Sequence, residues 1–219
     1  MCLILVAWKV HARFALVVAA NRDEFHDRPA VRAGFWEEKP EVLAGRDLQA
    51  RGTWMGVSRA GRFAAVTNYR GGTEPAAAES RGALVTRYLA GIDVPELAER
   101  KASYSGFNLL ASDGNELCWL SNRDGGPRRL EPGWYGLGNL LLDTPEVAEH
   151  KLRFRECPVS IEPLFGVLAQ AKIVDERYGT RCSSVLMQGA EIRFAERAFG
   201  RDGGEEATLR YEFSARRIS

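Results

Sequence analysis

The chain has 219 residues, of which 45% are hydrophobic and 27% charged, and its formal net charge is +1. This length buries one sizeable core and is short for two ordinary domains, so a single domain over residues 1–219 is expected. The near-neutral charge excludes the electrostatic pull that recruits nucleic acid or acidic lipid, and no apolar run reaches the length of a membrane span. The N-terminus lacks the basic start and unbroken apolar stretch of an export signal, which points to a cytoplasmic protein.

The first element is a β-hairpin. Leu3 to Trp8 and Phe14 to Ala20 are aliphatic and aromatic, and the polar run Lys9 to Arg13 separates them. Folding there brings Cys2 level with Asn21-Arg22-Asp23-Glu24, so that a thiol, an acid and a guanidinium converge at one end of the pair. Phe25 to Pro40 holds Pro29, Gly34 and Pro40 among charges and reads as an ordered surface loop, with His26 and Arg28 on a solvated face. Trp54 to Ser58 and Arg62 to Asn68 flank Arg59-Ala60-Gly61 and read as a second hairpin. Asn21 and Asn68 then stand at the exits of the two second strands. Turn formation is the simpler expectation for Asn21 and an active-site rim for Asn68.

Gly72 to Ser80 is a small-residue linker around Pro75. Arg81 to Ala90 spaces Leu84, Val85, Tyr88 and Leu89 as a helix does, with Ser80 as its cap. Val94 to Ser103 gives a second helix, with Pro95 in the first turn and Leu97, Ala98 and Ala102 on one side. Strands return at Phe107 to Ala111, Glu116 to Ser121, Arg128 to Leu130 and Gly133 to Leu137, with Asp113-Gly114 as a tight turn between the first two. Asn139 marks a third strand exit. Thr144 or Asp143 is expected to cap a helix from Pro145 to Glu156, followed by another from Ile161 to Lys172. Arg177 to Ser184 leads into strand-like Val185 to Gln188, then Ile192 to Ala195 and Leu209 to Phe213, the last two joined by a glycine-rich acidic loop, Gly200 to Glu206. Strands arranged in hairpins rather than single crossovers argue for antiparallel sheets covered by helices, an α+β class and not a Rossmann sheet.

Four scattered cysteines, without a C-x-x-C pair or a neighbouring histidine cluster, argue against zinc and for free thiols, so no metal or cofactor is expected. Cys2 is the exception in chemistry. Removal of Met1 would give it a free α-amine, and one residue would then supply both nucleophile and base. Arg22 would favour the thiolate, Asp23 would orient the ammonium form, and asparagines such as Asn68 and Asn139 could donate to an oxyanion.

The run Asn21-Arg22-Asp23-Glu24 after a Met1-Cys2 start resembles the signature of the NRDE family, which includes transport and Golgi organisation protein 2. The blocks Gly45-Arg46-Asp47, Gly52-Thr53-Trp54-Met55-Gly56, Thr67-Asn68-Tyr69-Arg70, Tyr135-Gly136-Leu137-Gly138-Asn139, Leu142-Asp143-Thr144-Pro145 and Tyr178-Gly179-Thr180-Arg181 are similar to the family's and stand in the same order. The resemblance implies an N-terminal-nucleophile hydrolase type of fold, a four-layer αββα sandwich of two antiparallel sheets between helices. A more distant likeness, to penicillin V acylases and bile salt hydrolases, implies Cys2 as nucleophile, Asp23 as its carboxylate partner, Asn68 and Asn139 on the oxyanion side, and Arg181 as a late active-site arginine. Those acylases place an arginine where this chain has Ala20, and Arg22 sits inside the Asn-x-Asp unit instead. The implied activity is hydrolysis of a non-peptide amide or related acyl bond in a small molecule. The alternative is a non-catalytic protein that binds or carries a small hydrophobic ligand such as haem, although His11, His26 and His150 form no recognised ligation motif.

Overall fold

The computed structural model describes residues 2–71 and 78–215. The expected linker Gly72 to Ser80 falls largely outside them, as does Met1. The described residues divide into two compact units. One is built from 2–29, Pro132–Gly138 and Asp143–Ala215, the other from Ala30–Glu131 and Asn139–Leu142.

The first unit holds a six-stranded antiparallel sheet. Its strands are β1 (Leu3–Trp8), β2 (Leu16–Phe25), β10 (Gly133–Leu137), β11 (Tyr178–Gln188), β12 (Ile192–Phe199) and β13 (Glu205–Phe213), in the order β10-β1-β2-β11-β12-β13. All six residues of β1 are buried, which is why its sequence is apolar without alternation. Helices α3 (Ala148–Glu156) and α4 (Ile161–Ala169) cover one face, where Phe154, Leu164, Phe165 and Leu168 pack with Leu3, Leu5, Val17, Ala19 and Val185.

The expected first hairpin is present. Leu3 pairs with Asn21 and Trp8 with Leu16. Its second strand, however, does not stop at Ala20. β2 runs on through Asn21-Arg22-Asp23-Glu24 to Phe25, because β11 pairs with it from Tyr178 opposite Phe25 to Gln188 opposite Leu16. A partner about 160 residues away in sequence supplies the backbone bonds, and no local signal reveals it. Asn21 is accordingly an interior strand residue and not a turn former.

The second unit holds a seven-stranded antiparallel sheet. β3 (Ala30–Trp36), β4 (Lys39–Asp47), β5 (Met55–Ser58), β6 (Phe63–Asn68), β7 (Phe107–Ser112), β8 (Leu117–Ser121) and β9 (Arg128–Arg129) lie in sequence order. The hairpins at Arg59-Ala60-Gly61 and Asp113-Gly114 fall where the turn residues place them, with Gly61 and Gly114 at φ of 83° and 91°. Helices α1 (Gly82–Leu89) and α2 (Val94–Glu99) cover one face. α1 buries the four residues its spacing singled out, Leu84, Val85, Tyr88 and Leu89. Its first amide donates to the Ser80 hydroxyl at 3.3 Å. α2 is shorter than expected, and its tail, Lys101–Ser103, tightens into a 3₁₀ turn.

The expected loop Phe25 to Pro40 is a correction. It contains β3 and the start of β4. Pro29 precedes β3, Gly34 sits at a register shift, and β3 is an edge strand, where proline and glycine are tolerated because one side of the ladder is unpaired. Two further expectations change. Neither Thr144 nor Asp143 caps a helix by side chain. Residues Pro145–Val147 form a 3₁₀ turn, and the Asp143 carboxylate instead accepts from the Gly136 amide and from Lys151, each at 2.8 Å. α4 ends at Ala169, short of Lys172.

Candidate active site

Within the first unit the ends of β1 and β2 bring together what the hairpin promised. The half-buried Cys2 thiol donates to the Asp23 carbonyl oxygen at 3.5 Å. The Asp23 side chain is 4% exposed, and its Oδ1 accepts from the Thr180 hydroxyl at 2.7 Å. Tyr178, two residues earlier on β11, donates its phenolic proton to the Asp23 carbonyl at 3.1 Å. β11 therefore clasps Asp23 by backbone and side chain together. Thr180 stands directly across the ladder from Asp23, and a register shift between Thr180 and Cys182 follows at once.

Burial pushes the Cys2 thiol above its ordinary value, and the Asp23 charge raises it further. Arg22 acts in the opposite direction, lowering the thiol as a nearby cation does, but more weakly than burial and Asp23 raise it. The Arg22 guanidinium lies 3.7 Å from the Glu24 carboxylate, which Arg28 also approaches at 3.7 Å. Arg181, the late arginine that the resemblance implied, lies on β11. Its Nη1 donates to the carbonyls of Phe25, His26 and Arg28 at 3.1, 3.0 and 3.3 Å and holds the turn that follows β2.

Asn21 is fully buried, with both ends of its amide engaged. Its Nδ2 donates to the Leu168 carbonyl at the end of α4 at 2.9 Å, and its Oδ1 accepts from the Ser183 hydroxyl at 2.7 Å.

The second unit brings Asn68 and Asn139 together. Asn68 ends β6 with an exposed side chain, and its carbonyl accepts from Asn139 Nδ2 at 2.8 Å. Asn139 is 4% exposed, and its Oδ1 has no hydrogen-bond partner among the described residues. Beside them lies Asn108, which sequence reasoning passed over. It is fully buried, donates to the Leu140 carbonyl at 2.7 Å and to Thr67 at 3.3 Å, and its Oδ1 is likewise without a partner among the described residues. Tyr178 and Thr180 were visible only as members of a motif block, and Ser183 not even as that.

All four cysteines are free, and among the described residues no group of three His, Cys, Asp or Glu side chains is placed to hold a metal ion. No helix among them is long and apolar enough to cross a membrane.

Two solved structures share the fold. The Caenorhabditis elegans N-acylethanolamine-hydrolyzing acid amidase ortholog superposes with a TM-score of 0.55 at 10% identity, covering 84% of this chain and 92% of its own. A C2A mutant of the conjugated bile acid hydrolase from Clostridium perfringens gives 0.52 at 10% identity, covering 98% of each chain. Two antiparallel sheets with helices, in an arrangement shared with these hydrolases, define the N-terminal-nucleophile hydrolase fold class that the sequence implied.

Sequence narrows the class further. The model of the family described as Transport and Golgi organisation 2 matches residues 1–159. The chain is 34% identical to the Bos taurus Transport and Golgi organization protein 2 homolog over 91% of its own length and 92% of that protein. With the Homo sapiens homolog the identity is 43% over 60% of this chain, and the match spans about half of the human relative, 53%. The chain belongs to the Transport and Golgi organisation 2 family.

Proposed function

We propose that this chain is a cysteine hydrolase of the N-terminal-nucleophile type, acting on a non-peptide amide or related acyl bond of a small molecule. The observation that carries the reading is the approach of the Cys2 thiol to Asp23, whose carboxylate is held from across the sheet.

With Met1 removed, the Cys2 α-amine takes the thiol proton. Burial disfavours the thiolate on its own, so an ammonium on the same residue is the natural counter-charge, and Asp23 is the group to orient it. The sulfur then attacks the acyl carbonyl carbon to give a tetrahedral intermediate. Its collapse breaks the carbon–nitrogen bond, and the departing amine takes the proton from the ammonium. Water, deprotonated by the now neutral α-amine, cleaves the thioester and returns the thiol. The resemblance assigns oxyanion donation to Asn68 and Asn139. Asn139 Nδ2 has two hydrogens and gives only one to the Asn68 carbonyl, so it keeps donor capacity for that role. On this reading Arg181 also shapes the turn after β2. Four free thiols suit a reducing compartment such as the cytoplasm.

The test is an acyl-transfer probe with a thiol-selective reactive group, read by intact and peptide mass spectrometry on the wild type and on Cys2→Ala. The expected result is loss of Met1, a single acyl adduct on Cys2, and none on the variant. Quantitative retention of Met1, or equal labelling of Cys118, Cys157 and Cys182, overturns the proposal.

A further inference from the structure

We infer that Thr180 is a positioning residue for the chemistry of Cys2: its hydroxyl fixes the Asp23 carboxylate in the orientation in which that carboxylate acts on the thiol. The direction of each hydrogen bond in this chain is settled by elementary donor counting. The Ile173 backbone N–H has only a proton to give, and it gives it to Thr180 Oγ1 at 2.8 Å. The one hydroxyl proton of Thr180 is therefore free to point elsewhere, and the acceptor within reach is Asp23 Oδ1 at 2.7 Å. The Thr180 amide in turn donates to the Ile173 carbonyl at 2.9 Å, so the residue is pinned on both backbone and side chain before it meets the carboxylate. Thr180 itself is 2% exposed, and burial strengthens the bond it makes.

The placement is specific to this position on the sheet. Thr180 is the cross-strand partner of Asp23, which sets their side chains on one face at close range. The register shift comes immediately after, so the pairing that serves Asp23 is the last regular one before the ladder slips. Tyr178, on the same strand two residues earlier, anchors the Asp23 carbonyl that also receives the Cys2 thiol. A threonine with no partner but solvent would be a poor orienting group. This one is held by two elements and has a single direction in which to donate.

The inference rests on the proposed role of Cys2 but is tested without turnover. The measurement is the rate of Cys2 alkylation by iodoacetamide between pH 6 and pH 10 on the full chain with Met1 retained, so that no Cys2 α-amine titrates in the window, followed by peptide mass spectrometry, with thermal melting as the control for folding. The charged groups that act on the thiol among the described residues are Asp23 and Arg22 of β2, and of these Asp23 raises it. Thr180→Val removes the hydroxyl at nearly constant shape, releases the carboxylate, and is expected to move the alkylation midpoint down, raising the rate at pH 7.5 about threefold. Thr180→Ser keeps the hydroxyl and should restore the wild-type profile. Asp23→Asn should produce the same displacement, and adding Thr180→Val to it should produce no more. Superimposable wild-type and Thr180→Val profiles in a folded protein, or fully additive effects in the double variant, overturn the inference. If Thr180→Val does not fold, Thr180→Ala carries the same expectation against Thr180→Ser. An unlabelled acyl site with an intact Thr180 effect would sink the hydrolase reading alone, and the converse would sink only this one.

Discussion

Asn21 in the first unit and Asn139 in the second are both nine-tenths buried or more, and both were flagged as asparagines at strand exits. Each amide nitrogen makes one donation, and they differ in what their amide oxygens meet. Asn21 spends its carbonyl on Ser183 and donates to Leu168, tying β2 to β11 and to the end of α4. Asn139 donates to Asn68 and leaves its Oδ1 without a partner among the described residues. A buried amide with both ends engaged is a fastening. One kept half-satisfied in the interior costs stability that some other purpose must justify, which makes such groups the better candidates for chemistry.

That contrast can be broken by mutation. The largest expected effect belongs to neither asparagine: Cys2→Ala should abolish acyl-adduct formation, a loss of about a thousandfold or more in any turnover assay, since the nucleophile itself is gone. Next, Asn139→Ala should cut turnover about a hundredfold, the cost of one oxyanion donor, with a modest change in melting temperature because a single hydrogen bond is lost. A fall in stability with turnover intact would return Asn139 to the class of fastenings. Asn21→Ala should do the reverse. It strands the Ser183 hydroxyl in the interior and leaves the Leu168 carbonyl with its backbone partner Ala171 alone, so urea unfolding should show a loss of about 1–2 kcal/mol while the alkylation profile of Cys2 stays in place. A displaced Cys2 profile would mean that Asn21 also positions the thiol.

The smallest effect concerns pH. Burial first and the Asp23 charge second raise the Cys2 thiol, so its thiolate fraction at neutral pH is below that of an exposed cysteine. In the chain that retains Met1, Cys2 should be alkylated more slowly than free cysteine at pH 7.5, with the rate still climbing where free cysteine has levelled off. Asp23→Asn removes one of the two causes and should shift the profile part of the way back. A Cys2 that reacts as fast as free cysteine at neutral pH contradicts that balance.

Local pattern was enough for the elements that organise themselves. The hairpin β1–β2, the Gly61 and Gly114 turns, and the buried face of α1 follow from apolar spacing and turn chemistry acting over a few residues. The segment Phe25 to Pro40 departs from its local pattern for the same reason in reverse. Its prolines and glycine are ordinary loop signals, but Pro29 stands before β3 and Gly34 falls at a register shift of that edge strand, where both are tolerated. At the site, the approach of Cys2 to Asp23 was legible because hairpin pairing alone fixes it.

The sequence by itself determined which residue types were present at the strand ends and that two of them, Cys2 and Asp23, had to meet. The tertiary structure decided what each of them is able to do. β11 arrives from about 160 residues away to extend β2 through the Asn-Arg-Asp-Glu run, turning Asn21 from a turn former into a buried fastening and assigning Thr180 to Asp23. It also sends the Arg181 guanidinium to three backbone carbonyls. Hydrogen-bond saturation depends on partners brought together by long-range pairing, and spacing along a single chain carries no record of them.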